Sequence, residues 1–213
     1  MKRRTLGQLA AALLAGAMMV GAPWAHAADE APDALIKRLS DEVLGTIKAD
    51  TSVRAGDLDK IIALVDSKIM PNVNFQRMTA SAVGPAWRQA TPAQKQQLQD
   101  EFKTLLVRTY SGALAQVNEQ TISVKPLRAS PTDEEVTVRT EIRGRGEPIQ
   151  LDYRLEKTAG QGAGWKIYNL NVLGVWLMET YRSQFAQEIN AKGIDGLIAT
   201  LVARNKSNAA RKG

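Results

Sequence analysis

The chain has 213 residues, a net charge of +6, no cysteine and a single histidine. Without cysteine it has neither disulfides nor thiolate chemistry, and its basic excess is too small to argue for nucleic acid. The length suits one domain with a substantial core.

The first residues read as a targeting segment. Met1-Lys2-Arg3-Arg4 precedes an apolar run over 9–20, and Ala25-His26-Ala27 supplies a small-x-small cleavage pattern. The run is too short for a membrane span, and the residues after Arg3-Arg4 fit a twin-arginine signal poorly, so general secretion is expected. No cysteine follows to carry a lipoprotein anchor. Cleavage after Ala27 removes Lys2, Arg3 and Arg4, lowering the net charge from +6 to +3. It also removes His26. The exported protein then lacks the two side chains most used for nucleophilic and proton-transfer work near neutral pH, and keeps only carboxylates as metal ligands.

Over 32–50, Leu35, Leu39, Val43 and Ile47 fall four apart, one face of an amphipathic helix. Asp57 caps a second helix with Ile61, Ile62, Leu64, Val65 and Ile69 inward, ended by Pro71. A short helix over 75–83 stops at Gly84-Pro85. Thr91-Pro92-Ala93-Gln94 is a capping box with proline in the first turn, opening a long central helix through Leu98, Phe102, Leu105, Leu106, Leu114 and Val117.

The period then changes to two. Ile122 and Val124; Val136, Val138 and Ile142; and Ile149, Leu151, Tyr153 and Leu155 alternate with polar neighbours, as in an antiparallel sheet wet on one face. A fourth strand over 165–172 puts Ile167 on one face and Tyr168, Leu170 and Val172 on the other. Being apolar on both, it reads as central or strongly twisted. Helical spacing returns at Leu177, Tyr181, Phe185 and Ile189, and a last helix holds Ile194, Leu197, Ile198 and Leu201. The expected fold is α+β, a four-stranded antiparallel sheet with helices on one side. Residues 28–205 form the single domain, and 206–213 a frayed polar tail.

Little of this carries chemistry. Gly160-Gln161-Gly162-Ala163-Gly164 resembles a phosphate loop on paper, but a strand follows where a helix is needed, so it reads as a hairpin turn. Asp152 and Glu156 share the face opposite Tyr153 and Leu155 and are expected in water, not as an acid–base pair. Arg139, Arg143 and Arg154 stand on the same wet face, with Arg145 at a turn tip. They are either a charged edge or a basic patch at a binding site.

At Trp165-Lys166-Ile167-Tyr168-Asn169, Leu173-Gly174-Val175, Tyr181-Arg182-Ser183-Gln184-Phe185 and Gly193-Ile194-Asp195-Gly196-Leu197-Ile198 the chain resembles the MlaC family, the phospholipid-binding periplasmic components of a bacterial intermembrane lipid-transport system. Asn169 departs from the usual aspartate, and Trp176 from the usual small polar residue. The resemblance implies a strongly curved sheet enclosing an apolar cavity for acyl chains, with phospholipid as cargo and no cofactor, metal or catalytic residue. It implies a periplasmic monomer that docks to an outer-membrane lipoprotein–porin complex and to an inner-membrane ABC transporter with an MCE-domain subunit, and so maintains outer-membrane lipid asymmetry. The expected tail-lining residues are Leu105, Leu106, Val138, Leu151, Tyr153, Ile167, Leu173, Trp176, Leu177 and Tyr181; Arg143, Arg145 and Arg182 are the expected headgroup or partner contacts. The rivals are a cone-shaped α+β enzyme acting on a small apolar substrate and a solid-core periplasmic adaptor.

Overall fold

The structure, a computed structural model, describes residues 30–210 except 118, 131 and 145; the expected leader and Arg145 lie outside the described residues. Helix α1 (Pro32–Ala49) starts on its proline and buries Leu35, Ile36, Leu39 and Ile47. Asp50 ends it and caps the next turn, accepting hydrogen bonds from the Ser52 and Val53 amides to start α2 (Thr51–Arg54), a break the periodicity does not reveal. Asp57 caps α3 (Leu58–Leu64) as expected. Beyond it the chain stays wound, first as a π-helical turn (Val65–Ile69) and then as a 3-10 turn (Met70–Asn72). Helix α4 (Phe75–Val83) ends at Gly84, whose φ of 72° suits glycine. The capping box of α5 (Pro92–Ala115) is complete: the Thr91 amide donates to Gln94 Oε1 at 2.9 Å and the Gln94 amide to Thr91 Oγ1 at 3.2 Å.

Strands β1 (Thr121–Val124), β2 (Glu135–Arg143), β3 (Ile149–Lys157), β4 (Trp165–Val172) and β5 (Val175–Trp176) form an open antiparallel meander in chain order. The fifth strand, only two residues long, is additional to the four expected. Helix α6 (Leu177–Ala210) bends at Gly193 (φ 71°, ψ −172°), which divides it into the two helical stretches the sequence separates, and it runs on to Ala210.

The two-faced apolar character of β4 has a local cause. Leu155 pairs with Ile167 but Arg154 pairs with Asn169, so Tyr168 is an extra, unpaired residue: a β-bulge. The phase of side-chain alternation shifts by one there. Ile167, Leu170 and Val172 therefore share the face of Leu155, Tyr153 and Leu151, to which β2 adds Val136 and Val138 by register. That face meets the helices. Asn169 and Asn171 join Asp152 and Arg154 on the opposite face.

A polar clamp holds the bulge from that opposite side. The Arg77 guanidinium lies 3.6 Å from the Tyr168 ring centroid, pairs with Glu135 at 2.6 Å and also pairs with Glu156. The Tyr168 hydroxyl donates to Glu135 at 2.7 Å, and Asn74 Nδ2 to Glu156 at 2.5 Å. Hydrogen bonds from Arg77 and Tyr168 hold the Glu135 carboxyl below its usual range, while burial, aided by Glu135, pushes the Tyr168 phenol up to about 12. A lowered carboxylate stabilises the fold above its ordinary pKa, and that contribution is lost as pH falls through the lowered value. A raised phenol stabilises it below about 10, its ordinary value, and the contribution is lost as pH rises through about 12. Melting temperatures across pH are therefore expected to separate the natural chain from Arg77→Met at neutral pH, with the gap narrowing as pH falls through the lowered Glu135 value.

Candidate binding pocket

The buried apolar residues form three clusters. Met78, Leu98, Phe102, Tyr181, Phe185 and Leu197 join α4, α5 and α6. Leu35, Ile36, Val138, Leu155 and Ile167 join α1 to the sheet. Ile47, Val53, Ile61, Val65 and Val107 join α1, α2, α3 and its π-helical extension to α5. Small domains usually have one contiguous core. Here residues of all three clusters border a pocket of about 260 Å³.

One wall is the unevenly wound segment after α3, contributing Val65, Ile69, Met70 and Val73. Departures from α-helical winding of this kind recur at functional sites. Helix α5 supplies Leu106, Val107, Tyr110 and Leu114; the sheet supplies Tyr153, Ile167 and Leu170; Phe75, Met78 and Leu177 complete the lining with Lys103. The bulge matters directly, because only after its phase shift do Ile167 and Leu170 face the same space.

Polar groups on this wall are few. Lys103 lends its aliphatic stem, and its ammonium pairs with Asp66 at 2.9 Å. Apolar surroundings push the Tyr153 phenol up to about 12, against hydrogen bonding with Ser40 and Thr140, so it is neutral at physiological pH. Lys103, Tyr110 and Tyr153 are the titratable side chains among the described residues of this wall, and the rest of its lining is apolar. It is built to shelter apolar matter.

Of the residues singled out from the sequence, Leu106, Tyr153, Ile167 and Leu177 line this pocket. Leu105 and Val138 are packed within the clusters, and Tyr181 lies edge-on to Phe102 at 4.9 Å between ring centroids. Leu151 is half-buried one step along β3 from the wall, and Leu173 is 64% exposed. The Trp176 ring lies over the Arg154 guanidinium, 3.9 Å away, on the other face of the sheet. Arg143 pairs with Glu141, and Arg182 passes beside Gly84 at the end of α4.

Sequence reasoning did not single out Ile69, Met70, Tyr110, Leu114 or Leu170 for the pocket. Three of these were read as inward or apolar-face positions, but periodicity does not separate a residue beside a gap from one in a packed core. The expectation that Asp152 points to water is corrected. It is 5% exposed among the side chains of the outer face, where Gln150 donates to its Oδ2 at 2.7 Å. The Asn169 departure is explained by its amide. Its Nδ2 donates to Glu179 at 2.8 Å and its Oδ1 accepts from the Met178 amide at 3.3 Å. An ionised aspartate could make only the second of these bonds.

A family profile described as MlaC protein matches residues 37–203. The toluene tolerance protein ttg2D of Pseudomonas putida is 27% identical over 180 residues, spanning 84% of this chain and 82% of the relative. The intermembrane phospholipid transport system binding protein MlaC of Haemophilus influenzae is 23% identical over 176 residues, 82% of each. Among solved structures, a phospholipid-binding protein of Ralstonia solanacearum, determined in complex with a phospholipid, is 49% identical and superposes with a TM-score of 0.80, covering 83% of this chain and 98% of that one.

The pocket has a mechanical signature independent of any ligand. Enlarging a side chain in a filled core costs about 1–3 kcal/mol. Leu98→Phe, at a fully buried position, is expected to show that loss in chemical denaturation, whereas Leu106→Phe, which grows into the pocket, is expected to leave stability within about 0.5 kcal/mol of the natural chain.

Proposed function

This chain belongs to the MlaC family, and we propose that it is a periplasmic phospholipid carrier, holding acyl chains between the sheet and α5 and releasing them without covalent change. The observation that carries this reading is an almost wholly apolar pocket at the junction of three core clusters, in the fold of a 49% identical protein solved with a phospholipid.

Carriage has a simple energetic basis. A buried methylene is worth roughly 0.8 kcal/mol, so two tails of about 30 carbons gain on the order of 24 kcal/mol relative to water. A bilayer offers nearly the same shelter. The cargo is therefore held firmly in the aqueous space and exchanged with little net cost where a membrane or membrane complex receives it.

At about 260 Å³ the pocket is smaller than the roughly 300–1,000 Å³ that houses drug-sized ligands, and a two-tailed lipid is larger than those. The remaining tail length follows the helix-facing side of the sheet past Leu151 and Val172, where half-buried apolar residues continue the wall. Leu106, Tyr153, Ile167 and Leu177 make the inner tail contacts, with Leu105, Val138 and Tyr181 packed behind them.

In this reading the chain is exported by its cleaved leader and works as a monomer, without a cofactor and without catalysis. It moves phospholipid between an outer-membrane lipoprotein–porin complex and an inner-membrane ABC transporter with an MCE-domain subunit, and so serves outer-membrane lipid asymmetry. In the same reading, Arg143, Arg145 and Arg182 meet the headgroup or these partners.

Leu106→Arg places a charge in the pocket wall at a partly exposed position, with circular dichroism used to check that the variant folds. In competition with vesicles for a labelled phospholipid, the variant is expected to take up the lipid about tenfold more weakly than the natural chain, the factor that about 1.4 kcal/mol of lost tail contact represents. Equal uptake by a folded variant, or no uptake by the natural chain, would count against the carrier.

A further inference from the structure

The turn joining β4 to β5 consists of Leu173 and Gly174, with φ of 51° and 86°. Two-residue hairpin turns with positive φ at both positions favour Asn-Gly, because glycine has no Cβ and asparagine tolerates the left-handed region. Leu173 is the one non-glycine residue with positive φ among the described residues. Its side chain is 64% exposed, so the strained backbone is not offset by burial.

Ile149 and Val175 are the other large exposed apolar residues among those described, and they lie at the same end of the sheet. Val175 pairs with Val172, and the Leu173 amide donates to the Gln150 carbonyl at 3.0 Å, next to Ile149. Two residues back along β3 and β4, about 7 Å, the Leu151–Val172 pair leads to Tyr153 and Leu170 of the pocket wall. Lys125, Arg139 and Arg143 flank this end on the outer face, Lys125 and Arg143 sharing Glu141; Glu147 is the exposed acid of the adjoining turn.

Three aliphatic side chains on one hairpin end fall far short of the roughly 800 Å² per partner that a stable protein interface buries. They suit shallow entry into a bilayer, where apolar side chains pass between headgroups and neighbouring cations meet anionic lipid. We propose that the Leu173–Gly174 turn, with Ile149 and Val175, is the point at which this protein touches an anionic phospholipid bilayer, Arg139 and Arg143 meeting lipid phosphates beside it. Its use in cargo exchange rests on the carrier reading; the contact itself does not.

The test is co-sedimentation of the exported protein with vesicles of phosphatidylethanolamine and phosphatidylglycerol. The natural chain is expected to sediment with them. Leu173→Asn removes the aliphatic group and relieves the backbone, so it is expected to lose at least about fivefold in vesicle binding while its Tm rises by about 2–4 °C. Val175→Thr, which keeps the β-branched shape, is expected to weaken vesicle binding with Tm little changed. No sedimentation of the natural chain, undiminished sedimentation of Leu173→Asn, or binding only to vesicles carrying a membrane protein would overturn the proposal. So would a fall in Tm for Leu173→Asn, which would assign the leucine to packing. Lipid content of the same preparations is measured separately: protein that binds vesicles but carries no lipid would remove the carrier reading and leave the bilayer contact standing.

Discussion

Tyr168, inserted into β4 without a partner on β3, governs the chemistry of both faces of the sheet. Were β4 regular, Ile167 would face the helices and Leu170 and Val172 the other side, or the reverse, because side-chain alternation has a strict period of two. The extra residue places all three on the helix side and sends Asn169 and Asn171 outward. The outer face then has the amides that order the start of α6, through the Asn169 contacts with Glu179 and Met178. The inner face gains a continuous apolar strip along β3 and β4, from Leu155 and Ile167 to Leu151 and Val172. Arg77, Glu135 and Glu156 clamp the inserted ring in place, tying α4 to three strands at once.

That continuous surface does not meet a single matching core. Helix α1 packs on one part of it, and α4, α5 and α6 form a separate apolar body with an aromatic centre at Phe102, Tyr181 and Phe185. A third cluster gathers where α1, α2 and α3 meet α5. Close packing within each cluster supplies stability, while the junction between them stays incompletely filled. A carrier needs this division: stability independent of cargo, and an apolar space whose walls are already positioned. The uneven winding of the segment from Val65 to Asn72 belongs to the same design, since it forms a wall without packing as one regular helix.

Local signals were legible in the sequence. The Thr91–Gln94 capping box, the Asp57 cap, the alternation of β2 and β3 and the division of the last helical region into two stretches each depend on residues close together in the chain, and each is found. The fold class followed from them. The bulge was visible only as a strand apolar on both faces, because which residue is extra depends on pairing with β3. Asp152 looked solvated because alternation gives its face but not the side chains around it. Four expected tail contacts line the pocket, since inward-facing positions include pocket positions. Leu173 and Trp176, expected with them as inward candidates, sit instead at an exposed tip and on the outer face.

The central claim is that phospholipid tails occupy the space between the helix-facing side of the sheet and α5. Photo-crosslinking addresses it most directly: load the exported protein with a phospholipid carrying a photoreactive group midway along an acyl chain, irradiate, and identify the labelled peptides by mass spectrometry. The expected labels fall on residues 65–73, 103–114 and 151–172. Labelling confined to the outer-face or C-terminal helical residues, or dependent on no part of the pocket wall, would contradict the account.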